Sequence, residues 1–308
     1  MRIVFMGTPD FAVPCFKRLL ADGEDVVGVF TQPDKPKGRG YELTPPPVKA
    51  EAVLHGIPVF QPNSMRSGEA LKILKELNPD LSIVVAYGKI LPKEILELPK
   101  FGSVNIHASL LPRYRGAAPI QWCVLNGETQ TGVTSMQMNE GLDTGDMLLS
   151  KSMSIPPDMT AGELHDALSV LGAEVMSETV KAIRENALNP IAQPAESNYA
   201  PMLTKALCPI DFHKSAQQIH NQVRGLSPWP SATAILGGKR LKIHKTRYVH
   251  VSTDALPGTV IAVENGITVA CGDGKAIEIL ELQPEGKKRM TAKAFLVGHS
   301  VKTGDTFQ

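Results

Sequence analysis

The sequence predicts an α/β chain in two parts: a doubly wound, mostly parallel sheet followed by a small β-barrel. Three observations predict it. Near-continuous apolar runs alternate with helical patterns through the first half, as in a parallel sheet covered on both faces. An aperiodic stretch containing three prolines follows. Beyond it come closely spaced strands joined by Gly-containing turns, the pattern of a small barrel.

Taken in order, strands are expected at Arg2–Met6, Val26–Phe30, Ile57–Phe60, Leu81–Tyr87 and Val104–Ser109. Helices are expected between them, at Phe11–Leu20, Val48–Leu54, Glu69–Leu77 and Lys93–Leu98. "GVTSMQM" and "DMLLSKSMSI" predict two more strands. Thr160 and Glu163 form a T-x-x-E capping box. It opens a helix carrying Leu164, Leu168, Leu171 and Val175 at helical spacing. The stretch "ALNPIAQPAESNYAPMLTKA" has no clear period. The division that results is a first domain over 1–189, a linker over 190–206 and a second domain over 207–308. In the last, hairpins are expected around Gly237-Gly238 and Asn265-Gly266, with a further turn at Gly272-Asp273-Gly274.

The totals narrow the function classes. A chain of 308 residues that is 43% hydrophobic and 20% charged has the composition of a soluble globular protein with a sizeable core. Its formal net charge of +1 does not by itself point to a nucleic acid. The charge is uneven, however. Residues 206–308 hold 13 Lys+Arg against 8 Asp+Glu, a net +5, and the remaining 19 against 23 leave −4. That asymmetry fits a polyanionic partner and fits a solvated basic face equally well. Cys15, Cys123, Cys208 and Cys271 are far apart with no C-x-x-C, so neither a zinc site nor a disulfide framework is suggested. The apolar run in "MRIVFMGTPDF" is too short for a signal peptide, and no run approaches a membrane span. A cytoplasmic protein is expected.

The chemistry concentrates in "SVNIHASLLPRYRGAAPIQW", residues 103–122. Side chains two apart on a strand share a face. Asn105 and His107 therefore point one way, and Val104, Ile106 and Ala108 the other. An amide donor and an imidazole at the C-terminal end of a parallel strand stand where such sheets bind ligands. The same pair also suits a strand end whose polar groups are merely satisfied. A second constellation is "NEGLDTGDMLLS", which puts Asp143 and Asp146 in a Gly-bounded loop between two strands. A carboxylate there can orient an imidazole and stabilise its charged form. It can equally be a turn-forming Asp; the spacing of a calcium loop is absent.

A third feature is the loop "TQPDKPKGRGYELTPPPVK", long, proline-rich and basic, with Lys35, Lys37, Arg39 and Lys49 against Asp34 and Glu42. Loops of this length are usually functional or disordered. A basic one near the C-terminal edge of a sheet can grip phosphates, and can also be simply solvated. Other signatures fail. "AYGKI" lacks the glycine spacing and the Ser/Thr of a P-loop, "GTPDFA" is no G-x-G-x-x-G, and G-x-S-x-G is missing.

These residues resemble the methionyl-tRNA formyltransferases over nearly the full chain. The matching stretches are "MGTPDFAVP" (6–14), "TQPDKPKGRG" (31–40), "VVAYGKILP" (84–92), "NIHASLLPRYRGAAPIQW" (105–122), "GVTSMQMNEGLDTGDML" (132–148), "TAGELHDALSVLGAEV" (160–175), "NYAPMLTK" (198–205) and "SPWPSA" (227–232). The N-x-H, S-L-L-P and D-x-G-D set is similar to formyltransferases that use 10-formyltetrahydrofolate in general. The "PDKPKGRG" loop and the trailing β domain resemble the tRNA enzyme in particular. After "YAPMLTK" the family usually continues with acidic residues and "IDW", whereas this chain reads "ALCPIDF". That departure touches the domain junction and leaves the chemistry aside.

The resemblance implies a formyltransferase-like Rossmann variant followed by an OB-fold barrel. It implies Asn105, His107 and Asp143 as the catalytic residues, and Ser109, Leu110, Leu111 and Pro112 as lining of the folate pocket. It further implies Arg39, with Lys35 and Lys37, as contacts to the acceptor arm of methionyl initiator tRNA. 10-Formyltetrahydrofolate would be the co-substrate and tetrahydrofolate the released product, with no metal and a monomeric enzyme. Three rival readings compete: a formyltransferase for a nucleotide-linked amino sugar, a non-catalytic RNA-binding protein, and a hydrolase releasing formate. The basic loop and basic C-terminal part disfavour the first, the intact Asn105, His107 and Asp143 disfavour the second, and a trailing basic barrel would have no obvious role in the third.

Overall fold

The computed structural model of the chain describes residues 1–37 and 42–308, which form two compact units. The first unit comprises Met1–Gly116, Thr131–Met153 and His165–Ala200. The second comprises Ala117–Gln130, Ser154–Leu164 and Pro201–Gln308.

The first unit is built on seven strands: β1 Arg2–Gly7, β2 Asp25–Phe30, β3 Val59–Phe60, β4 Leu81–Val85, β5 Ser103–His107, β6 Gln130–Gln137 and β7 Met147–Ser154. They lie in the order β7-β6-β5-β4-β1-β2-β3. The pairs β1/β2, β1/β4, β2/β3 and β4/β5 are parallel, and β5/β6 is antiparallel. The chain runs outward through β2 and β3, then crosses to β4 on the other side of β1. Such a reversal opens a crevice outside the carboxyl ends of the strands. Residues Ile3, Val4, Phe5 and Met6 of β1 are completely buried, as a central parallel strand covered on both faces requires.

The helices follow the expected signals. Val13–Ala21 starts with a proline in its first turn and buries Cys15, Phe16 and Leu19. Gly68–Leu77 buries Ala70 and Leu74 and stops where Asn78 turns left-handed (φ 45°). The capping box of the helix Ala161–Arg184 is present: Glu163 N–H donates to Thr160 Oγ1 (3.2 Å) and Thr160 N–H to Glu163 Oε2 (2.8 Å). Its Leu164, Leu168 and Val175 are buried. Among the described residues, no helix is long and apolar enough to cross a membrane.

The second unit contains a separate antiparallel sheet. Its main strands are β8 Ala232–Leu236, β9 Lys239–Val249, β10 Val260–Val263, β11 Ile267–Ala270 and β12 Ala276–Pro284, in the order β8-β9-β12-β11-β10. Gly237 and Gly238 link β8 to β9 with positive φ at both (55° and 74°), the type I′ geometry that matches strand twist. Inward-facing Ile243, Val260, Val269, Ile277 and Ile279 pack with Ile219 and Val223 of the helix Ala216–Gly225. The same core takes in Ala118, Trp122 and Leu125, which come from far earlier in the chain.

All four cysteines are buried thiols outside any disulfide. Burial pushes the thiols of Cys15 and Cys271 up to about 12 and raises that of Cys208.

The helix Ala216–Gly225 begins with a reciprocal capping box between Ser215 and Gln218. Ser215→Ala is expected to lower stability by about 1 kcal/mol, and Ser215→Gly by only a few tenths. Denaturant unfolding of the two variants checks this, and an unmoved midpoint in Ser215→Ala would show that the cap contributes nothing.

Candidate active site

Strand β5 carries Asn105 and His107 on one face, opposite Met136 and Thr134 of β6. His107 is only 6% exposed, and Asn105 is half-buried. The strand ends at His107, two residues sooner than the sequence pattern suggests, because the next residues turn. Ser109 Oγ donates to the Arg113 carbonyl (2.6 Å), and the Ser109 carbonyl accepts from Thr134 Oγ1 (2.7 Å). Leu111 N–H in turn donates to Thr134 Oγ1 (3.1 Å). The Leu111–Pro112 peptide in this turn is cis. Ser109 and Leu111 are buried, while Leu110 and Pro112 are partly exposed.

The turn brings a main-chain carbonyl back to the edge of the imidazole. His107 Nε2 lies 2.9 Å from the Tyr114 oxygen. A carbonyl only accepts, so Nε2 carries the proton and the tautomer is set. His107 Nδ1 then faces Asp143, 3.7 Å from Oδ2. That separation is too long for a direct hydrogen bond and short enough for charge–charge attraction. Tyr114 is left-handed (φ 58°), and its N–H donates to Asn198 Oδ1 (2.6 Å). Non-glycine residues hold that conformation where their surroundings over-determine it, often at functional sites.

Asp143 is also left-handed (φ 54°), and its Oδ2 accepts from Gly116 N–H (2.8 Å). Gly116 has φ 112°, and a Cβ there would meet the Tyr199 ring at 2.5 Å and the Ala200 oxygen at 2.8 Å. Only glycine allows this N–H to reach the carboxylate. The Asp143 loop is tied internally by Asn139 Oδ1, which accepts from Gly141 N–H (3.0 Å) and Thr144 Oγ1 (2.8 Å). Gln193 ties it from outside, donating through Nε2 to the carbonyls of Asp143 (3.0 Å) and Gly145 (2.7 Å). Asp146, the other carboxylate of the motif, is exposed, and its main-chain oxygen accepts from Gln137 N–H (2.8 Å).

Asn105, His107 and Asp143 thus come together at the carboxyl edge of the parallel strands. Tyr114, Gly116, Gln193 and Asn198 complete the arrangement, and the sequence pattern does not single them out. Three of the four fall inside the "RYRGAAP" and "NYAPMLTK" stretches; Gln193 falls in neither and has no signal.

The basic loop is described in part. Lys35–Lys37 pairs antiparallel with Glu42–Thr44, and Lys35 is exposed. Arg39 lies outside the described residues. Lys49, counted among the loop's positive charges, is neutralised: its Nζ donates to both oxygens of Asp34 (2.8 Å each) and to Gln61 Oε1 (2.8 Å). The Lys49 and Gln61 hydrogen bonds hold the Asp34 carboxyl below its usual range.

Comparison with known proteins places this architecture. The formyl transferase family matches residues 1–180, and the formyl transferase C-terminal domain matches residues 202–300. A methionyl-tRNA formyltransferase of Geobacter metallireducens is 54% identical over 99% of this chain and 97% of its own. One from Caldanaerobacter subterraneus is 50% identical over 99% of each. Among solved structures, WlaRD, a sugar 3N-formyl transferase crystallised with dTDP and 5-N-formyl-THF, superposes with a TM-score of 0.71. It is 21% identical and covers 94% of this chain and 99% of its own. HypX from Aquifex aeolicus, in complex with tetrahydrofolic acid, gives 0.63 at 16% identity, covering all of this chain and 51% of its own. With both family matches in chain order and relatives at half identity over nearly its whole length, this chain belongs to the formyl transferase family.

Proposed function

We propose that this chain transfers the formyl group of 10-formyltetrahydrofolate to the α-amine of methionyl initiator tRNA, releasing tetrahydrofolate and formylmethionyl-tRNA for translation initiation. The observation that carries the reading is His107, held by the Tyr114 carbonyl with its other nitrogen toward Asp143, beside Asn105. The relatives named methionyl-tRNA formyltransferase support the choice of acceptor.

The amine nitrogen attacks the formyl carbon, and the carbonyl electron pair moves onto oxygen. Asn105 donates its amide N–H to that oxyanion, the preorganised stabilisation that is often the largest catalytic contribution. Because Nε2 is engaged by Tyr114, Nδ1 is the nitrogen left to take the proton from the attacking amine. Asp143 faces the imidazolium so formed and stabilises its charge. The bond from the carbon to N10 then breaks, and the proton passes from Nδ1 to N10. Leu110 and Pro112 offer partly exposed apolar surface for the pterin, while Ser109 and Leu111 shape the turn beneath it.

The tRNA reading rests on charge. Lys35, Lys37 and Arg39 would meet the acceptor arm. We read the C-terminal sheet as an OB-like barrel that holds the RNA backbone. Exposed Arg240 and Lys242 of β9 support this, since they lie opposite Ile235, Thr233 and Gln283 rather than carboxylates. Further along β9, Arg247 is paired with Glu278 and is less available. The enzyme would act as a monomer in the cytoplasm. A formyl-transfer assay with methionyl-tRNA and 10-formyltetrahydrofolate tests the whole reading. Activity confined to an amino-sugar nucleotide would overturn it.

His107→Ala and Asp143→Ala are each expected to lower kcat by ~10²–10⁴-fold with little change in KM for tRNA. A wild-type kcat in either variant removes that residue from the mechanism. Asn105→Ala is expected to be severe and Asn105→Asp comparably poor, because aspartate sets a negative charge against the oxyanion. Near-normal rates in Asn105→Asp would end the oxyanion role. Arg39→Ala is expected to raise KM for methionyl-tRNA, spare the folate, and move the melting temperature little. Arg39→Lys should recover only part, since it keeps the charge and loses the planar fork. Unchanged tRNA kinetics in Arg39→Ala would shift the RNA contacts wholly to the C-terminal unit.

A further inference from the structure

We infer that Gln193 is a positioning residue that aims the Asp143 carboxylate at His107; the inference rests on the catalytic reading above. The segment around Gln193 has the irregular, proline-punctuated sequence of a linker. In the fold it lies along the two loops that flank His107. Ile191 exchanges both main-chain hydrogen bonds with Met147 (2.9 and 2.8 Å). Tyr199–Ala200 pairs in parallel with Arg115–Gly116, and Asn198 Oδ1 receives the Tyr114 N–H. Gln193 sits between these anchors.

Its side chain is used to capacity. The amide nitrogen donates to the carbonyls of Asp143 and Gly145. The amide oxygen accepts from Arg115 Nε (3.0 Å) and Nη2 (2.8 Å). Two donors and two acceptor positions are all a glutamine has. The orientation is also forced. Turning the amide over would set its oxygen against two carbonyls and its NH₂ against a guanidinium.

The two ends of this bridge are the two sides of the site. Arg115 stands between Tyr114, whose carbonyl holds the imidazole, and Gly116, whose N–H holds the carboxylate. Asp143 and Gly145 belong to the loop that carries the carboxylate. Asp143 keeps an unfavourable left-handed backbone there. Gly145 packs so closely that a Cβ would lie 1.7 Å from the Gln137 oxygen. The loop therefore has one seat, and Gln193 clamps its outer side. Gln193 touches no reacting atom; it acts through Asp143.

Gln193→Glu separates this role from simple docking of the segment. Glutamate keeps the length and strengthens the contact to Arg115, so the segment stays docked. It loses both donors and turns lone pairs toward the Asp143 and Gly145 carbonyls. The expected result is a fall in kcat of about 10–100-fold, the scale of a misaimed catalytic group, with KM for both substrates within about 2–3-fold and an unchanged melt. Gln193→Ala should lose a similar factor. In an Asp143→Ala background, adding Gln193→Glu should cost nothing further, because the group it aims is gone. A wild-type kcat in Gln193→Glu overturns the inference. So does a loss in the Asp143→Ala background equal to the loss in wild type. A wild-type kcat in Asp143→Ala alone would instead sink the catalytic reading beneath it.

Discussion

The hydrogen bond from His107 Nε2 to the Tyr114 carbonyl is the contact on which the site depends. For that carbonyl to meet Nε2 of the imidazole, the chain must reverse within seven residues of the strand end. Each peculiarity of the stretch serves the reversal. Ser109 closes the turn onto Arg113, Thr134 pins it to the neighbouring strand, and Tyr114 adopts a left-handed backbone held by Asn198. The S-L-L-P stretch thus shapes the imidazole's surroundings.

In the proposed reaction, with Nε2 committed, the work of the ring would fall to Nδ1, which would give Asp143 a particular part. A carboxylate 3.7 Å away does not hold the ring in place; the carbonyl does that. In the proposed transfer it would answer the charge that appears when Nδ1 gains a proton. The Gly116 N–H shares the same oxygen, so the carboxylate meets the ring already oriented and partly satisfied. A group arranged this way needs little rearrangement as charge develops.

Much of this is legible in the residues. The two-residue period of β5 alone puts Asn105 and His107 on one face, because strand geometry leaves no alternative. Alternating apolar runs and helices are enough for the mostly parallel sheet, and the Gly-Gly turn for the first hairpin of the other sheet. What stays hidden has a common cause. Gln193 meets Asp143 across 50 residues and Arg115 across 78, from a stretch with no period to read. The share of Ala117–Gln130 in the second unit is hidden for the same reason. Periodicity reports which face of an element is buried and says nothing of which distant segment buries it. Lys49 illustrates the converse. Its charge counts toward a basic loop, yet Asp34 cancels it, and only proximity in space reveals that.

The cysteines have a practical meaning. Thiol reagents attack the thiolate, and in the folded chain burial keeps Cys15 and Cys271 protonated and out of reach. Cys15 is the sole sulfhydryl of the first unit; Cys123, Cys208 and Cys271 belong to the second. Alkylation of Cys15 and Cys271 can then occur only as their regions open, and mass spectrometry of the modified peptides would time the two openings separately. The native chain carries its own reporters of local unfolding, one set for each half, with no label added.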